Sequence, residues 1–252
     1  MKTYRFGPRD AGLAAVSLLL AGGCATLPPN ERQALIEASR QYARGDVSSA
    51  QRTAERIIRD YGQAAEIAEV YYLRGLCRFS NGQDRTAGDD FERAISRSKR
   101  SDLTAQCTAS LAAIAYRRGD FKRAADLYRE SVGQLRDVPP TDVILYCAGV
   151  AMRRAGDWHN ANFQFARILN RFRDRPIAAD ARRAAAWRHP YFAIQLGAYR
   201  DRDNAAKLVQ SMRQQGFDAS QEYLPRNGES LWIVTTGHYS THDEARAALA
   251  NV

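Results

Sequence analysis

At 252 residues the chain has room for a leader and two modest domains, each able to bury a core. Its composition, 45% hydrophobic and 26% charged, is that of an ordinary globular protein and excludes a disordered or many-spanning membrane chain. The net charge of +9 permits anionic partners, but the arginines are scattered along helical stretches, with no basic block interleaved with aromatics. A solvated, Arg-rich surface is the reading, and nucleic acid is not expected as a partner.

The first ten residues carry Lys2, Arg5 and Arg9, and an uncharged apolar run follows from Ala11 to Ala21. A spanning helix needs about 20 apolar residues, so this run is too short and reads as an export signal over residues 1–23. The segment Leu20-Ala21-Gly22-Gly23-Cys24 resembles a bacterial lipobox, although the usual Leu three places before the Cys is here Ala21. The resemblance implies cleavage before Cys24, acylation of its thiol and palmitate on the new N-terminus. Each buried methylene contributes about 0.8 kcal/mol, so several acyl chains make a firm anchor. No Asp follows Cys24, which by the same resemblance implies the outer membrane, facing the periplasm. Residues 24–30, with Thr26-Leu27-Pro28-Pro29, are expected to form a short extended tether.

Glycines 45, 82, 119 and 156 recur at an interval of 37 residues, and equal spacing of this kind marks repeats. Each is followed by Asp46, Gln83, Asp120 or Asp157, and five places after each stands Ala50, Ala87, Ala124 or Ala161. Aromatics come four later in three units, at Phe91, Tyr128 and Phe165. The pattern predicts helical hairpins: a Gly ends one helix, a polar residue starts the next, and a small residue stands where the two cross. It resembles the tetratricopeptide repeat, most clearly over Ala68–Ser96 through Tyr71, Gly75, Gly82, Ala87, Phe91 and Ala94. Residues 31–189 are assigned to such repeats, with Ile177 to Arg188 as a closing helix. Repeats of this kind present a partner-binding groove. Its expected lining is aromatic and basic: Tyr72, Leu76, Phe79, Tyr116, Arg117, Tyr146, Arg153 and Arg154. Tyr72 and Tyr146 have the equal alternative of packing between helices.

After Pro190 the period changes from helical to alternating, with Phe192, Ile194 and Leu196 on one side of a strand. A helix over Asn204–Gln215, a strand over Ala219–Leu224, a turn at Arg226-Asn227-Gly228, a strand over Leu231–Thr236 and a helix from Thr241 complete a β-α-β-β-α order. Gly197-Ala198-Tyr199 is echoed by Gly237-His238-Tyr239. The run Ile194-Gln195-Leu196-Gly197-Ala198-Tyr199, with Asn204-Ala205 and Gly216-Phe217 behind it, resembles the SPOR domain, the sporulation-related repeat of bacterial envelope proteins. That resemblance implies a ferredoxin-like α+β fold over 190–252 and binding of peptidoglycan glycan strands stripped of stem peptides. By position it implies that Gln195, Ala198, Leu231, Ile233 and Thr235 line the glycan face. Ala198 and Ile233 stand where the family often has Ser and Arg, which implies fewer polar contacts to sugar hydroxyls. Trp232 alternates with Val234 and is read as core. The family's fourth strand has no counterpart here, so the edge along Phe192 to Leu196 is expected to be open.

The chemistry of catalysis is missing from this pattern. His238 and His242 stand four apart, but Tyr239 occupies the place of the Glu in His-Glu-x-x-His, and His159 and His189 are isolated. No metal, cofactor or enzymatic activity is expected. Cys77, Cys107 and Cys147 read as buried small hydrophobes, with a Cys107–Cys147 bridge as the alternative. The chain as a whole reads as an all-α repeat solenoid followed by a small α+β domain. Its expected role is that of a lipid-anchored periplasmic adaptor joining peptidoglycan to a protein partner, in cell division or envelope organisation. The alternative is a scaffold for outer-membrane protein assembly.

Overall fold

The computed structural model describes residues 26–226 and 229–251. The expected export signal, Cys24, and the residues Asn227 and Gly228 of the expected hairpin turn lie outside the described residues. Nine helices precede the sheet among the described residues: α1 (Pro29–Ala43), α2 (Val47–Tyr61), α3 (Ile67–Ser80), α4 (Asp84–Arg97), α5 (Ser101–Arg117), α6 (Phe121–Val132), α7 (Thr141–Arg154), α8 (Trp158–Arg171) and α9 (Ile177–Ala186).

The 37-residue period has a local cause. Gly45, Gly82, Gly119 and Gly156 have φ between +76° and +92°, a conformation in which a Cβ is strained. The next residue's N–H reaches back to the helix it leaves, as in Asp46 N to Gln41 O at 2.9 Å and Asp157 N to Met152 O at 2.8 Å. This is a Schellman closure. Asp46, Asp120 and Asp157 then cap the following helix by accepting from the N–H of Ser49, Arg123 and Asn160. Among the described residues, Gln83 makes no such side-chain bond.

Inside the hairpins, Ala50, Ala87, Ala124 and Ala161 are all 0% exposed. The aromatic positions are matched to small residues on the preceding helix. A Cβ on Gly75 would lie 2.6 Å from the Phe91 ring, and one on Gly149 would lie 2.6 Å from the Phe165 ring. Ala112 stands at the corresponding place before Tyr128. The first hairpin has Ala38 and Ala54 at these places, both buried. In the later repeats a ring thus stands against a small residue, and in the first repeat two alanines take both places. Between α3 and α4, Asp90 is fully buried and accepts from Arg74 at 2.9 and 2.6 Å and from Arg78 at 2.8 Å.

The expected tether is shorter than the sequence implied. Leu27 is 1% exposed and joins the core of α1 to α3. Its N–H donates to Glu66 at 3.0 Å, and α1 begins at Pro29. An apolar side chain with a buried acceptor within reach gains more by docking than by staying solvated.

The described residues pack as two compact units that divide between Ala148 and Gly149, within α7. The boundary expected at 189/190 therefore falls inside the second unit, which holds α8 and α9 together with the sheet. There the Trp158 ring lies 4.8 Å from Phe192, Arg153 donates to Trp187 O, and α9 packs against the second strand.

The sheet comprises β1 (Phe192–Tyr199), β2 (Ala219–Arg226) and β3 (Glu229–Tyr239), with α10 (Arg202–Gln214) after β1 and α11 (His242–Ala248) after β3. Its order is β1-β3-β2, antiparallel throughout, as the ferredoxin-like expectation requires. Helix α10 covers one face, burying Ala205, Val209, Ala219 and Val234 with Leu196, Tyr199 and Trp232 beside them. β1 is an edge strand among the described strands. β3 does not stop at Gly237 but runs on to Tyr239, because Gly237 at φ +77° absorbs a shift in the β1 register as a bulge. The echoed Gly-x-Tyr triplets share a physical cause: in both, the Tyr ring two places on lies where a Cβ on the Gly would be.

Candidate functional site: the open face of the sheet

Residues paired across strands share a face, so the register defines what lies opposite α10. One row runs Gln195, Thr235, Ser220; the next runs Ala198, Ile233, Glu222; Leu231 and Leu224 follow. Gln195, Ala198 and Ser220 are exposed, and Thr235, Glu222 and Leu231 are half-buried. The hydroxyls of Ser220 and Thr235 are 3.4 Å apart. The structure brings four of the five residues assigned by resemblance onto an accessible surface.

Ile233 is the correction. It is 2% exposed, placed on the central strand between Ala198 and Glu222, with α9 packed against the neighbouring β2. It forms the floor of the face and offers no surface to a ligand. Trp232 pairs with Tyr199 and Tyr223 on the α10 side, its ring 5.1 Å from that of Tyr223 and beneath the Arg202 guanidinium.

Sequence reasoning missed a ring cluster on the open side. Trp187, His189 and Tyr191 alternate in the extended approach to β1, and alternation puts all three on one side. Ring centroids are 4.9 Å apart for Trp187 and His189, 5.0 Å for His189 and Tyr191, and 4.2 Å for Tyr191 and His238. His189 Nε2 lies 2.9 Å from Glu222, and His238 Nδ1 lies 3.2 Å from Asp218. Burial, then the charges of Glu222 and Asp218, raise the Tyr191 phenol above its ordinary range. His189, isolated in sequence, is therefore part of a group. The available signal was the every-second-residue spacing of rings.

The residues expected to line a groove in the repeats also make contacts within the fold. Tyr72 packs its ring 6.0 Å from Phe91, and desolvation pushes that phenol far up. Leu76 packs against the cores on both sides. Phe79 is 6% exposed and lies under the Arg117 guanidinium at 3.8 Å. Arg117 also donates to Phe79 O and pairs with Asp84. Tyr116 packs on Phe121, and Tyr146 is half-buried. Arg153 lies over the Trp158 and Phe165 rings and donates to Asn162. Arg154 is half-buried, and its charge is among the causes that lower the His242 pKa, after desolvation. The aromatic and basic positions expected in a groove are thus largely engaged in joining helices.

Cys77 and Cys107 are buried thiols, and Cys107 is not bridged to Cys147. Desolvation pushes the Cys77 thiol up to about 12. Among the described residues, no group of three or more His, Cys, Asp or Glu is placed to hold a metal. His238 and His242 go different ways: His238 meets Tyr191, and His242 meets Phe192.

This geometry agrees with a family match. Residues 189–252 match the SPOR domain model, and this stretch is a SPOR domain, which implies peptidoglycan binding, an association with cell division and a periplasmic setting. No curated protein matches the chain. Among solved structures, the chain is similar to the Rap conjugation gene regulator of plasmid pLS20 in complex with the Phr* peptide, at 16% identity and a TM-score of 0.49. That match covers 62% of this chain and 47% of the regulator, so the chain spans about half of it. No helix among the described residues is long and apolar enough to cross a membrane.

Proposed function

We propose that the protein is a lipid-anchored adaptor whose SPOR domain holds denuded glycan strands on its open sheet face. The observation that carries this reading is the polar row Gln195, Thr235 and Ser220 beside Ala198, in which Gln195, Ser220 and Ala198 are exposed and Thr235 half-buried, on the face opposite α10. A flat strand row with hydroxyl and amide groups offers donors and acceptors to sugar hydroxyls, and the small Ala198 lets a sugar ring approach the backbone. Cys24 carries the acyl anchor in the outer membrane, and the helical repeats bind a protein partner, placing the work in division or envelope organisation. Its role is binding, not turnover.

Pelleting of the chain with purified sacculi, with and without amidase treatment, tests the glycan reading. More protein should pellet after stem peptides are removed, and Gln195→Ala with Thr235→Ala should abolish the gain. A folded protein that stays in the supernatant with both preparations contradicts it. Radiolabelled palmitate should enter the wild type and not Cys24→Ser.

A further inference from the structure

We infer that the sugar site extends beyond the sheet row onto the ring cluster of Trp187, His189, Tyr191 and His238, where a second sugar residue of the same strand stacks. This rests on the glycan reading of the sheet face. Glu222 joins the two parts: it pairs with Ile233 on the open face and with His189 in the cluster. The rings are half-buried or exposed, so ring surface remains for a ligand. Two of them, His189 and Tyr191, lie within 25° of parallel.

The chemistry of the cluster selects the occupant. Pyranose rings present an axial C–H surface that packs on aromatic faces, and their rims carry hydroxyls. Around these rings, Glu222 and Asp218 supply acceptors, and the two imidazoles supply N–H donors to hydroxyls and to acetamido carbonyls. The two carboxylates at the cluster, Glu222 and Asp218, disfavour phosphate-rich ligands despite the chain's net charge of +9. Trp187 lies two residues before the family-matched stretch, so the subsite belongs to how this chain enters its SPOR domain. The hydrogen bond from Trp187 Nε1 to Tyr191 O at 3.0 Å fixes the indole relative to the sheet.

The test titrates the chain with soluble denuded glycan oligosaccharides, following binding by calorimetry and by tryptophan fluorescence. Trp187→Leu and Tyr191→Leu should each weaken binding about fivefold to thirtyfold, whereas Tyr191→Phe keeps the ring and should bind as wild type. The glycan-induced fluorescence change should persist in Trp232→Phe and disappear in Trp187→Phe. Wild-type binding with unchanged affinity in both Leu variants overturns the subsite and leaves the sheet row standing. Absence of binding by folded wild type overturns both. If a Leu variant does not fold, the fluorescence arm decides: a change that survives in Trp187→Phe overturns the subsite.

Discussion

The repeats and the sheet use the same residue types to opposite ends. In the repeats, Arg117 and Arg153 are expected on a basic binding surface, and each also reaches a carboxylate, a carbonyl or a ring of the protein, as the buried Arg74 does with Asp90. On the sheet, Gln195, Ser220 and Ala198 are exposed, and the rings beside Glu222 are only half covered. Residue type therefore does not mark a binding site. What differs is the share of each side chain given to contacts within the fold, and helical repeats, whose helices must each be tied to two neighbours, demand more of it.

Substitutions can break or sharpen this contrast. The largest effect is expected at Asp90: Asp90→Ala strands Arg74 in the interior and should cost about 3–5 kcal/mol in denaturant unfolding. A loss under 1 kcal/mol would mean that the arginine is not committed to the core. Next is Gly75→Ala, which places a methyl group against the Phe91 ring and should cost about 1–3 kcal/mol; paired with Phe91→Leu, part of that cost should be recovered. Smaller still is Asp120→Ala, at about 1 kcal/mol for a lost cap, while Gln83→Ala should change stability by less, because Gln83 makes no side-chain cap bond among the described residues. Equal costs at Asp120 and Gln83 would show that the caps contribute nothing. None of these changes should alter glycan affinity in folded protein. On the sheet the order inverts: Gln195→Ala should shift stability by about 0.5 kcal/mol or less and still reduce pelleting.

What was legible in the sequence follows from range. The repeat glycines announce themselves because a left-handed C-cap is a demand of the backbone itself, and the strands do so because alternation is local. Alternation alone would part Gln195 from Ala198, three residues on; the register shift between Gln195 and Gly197 brings both onto the face of Thr235. Other features depend on partners far away in the chain. Leu27 docks because Glu66 is there, Arg117 is taken up by Phe79 and Asp84, and Ile233 is buried by strands on either side and α9 beyond. His189 gains its meaning from Glu222, which no spacing rule connects to it. The bulge at Gly237 was half visible: the glycine showed a special conformation, and only the register with β1 shows that the strand continues through it.

The central claim is that this chain meets glycan on the open sheet face and not on its repeats. Its most direct test is titration of the isotope-labelled protein with denuded glycan oligosaccharides, reading backbone amide shifts residue by residue. The account predicts saturable shifts concentrated at Gln195, Ala198, Ser220 and Thr235, spreading to Tyr191 and His238, with α1 to α6 unmoved. Shifts centred on the helical repeats, or on the α10 side around Trp232 and Tyr223, would contradict it.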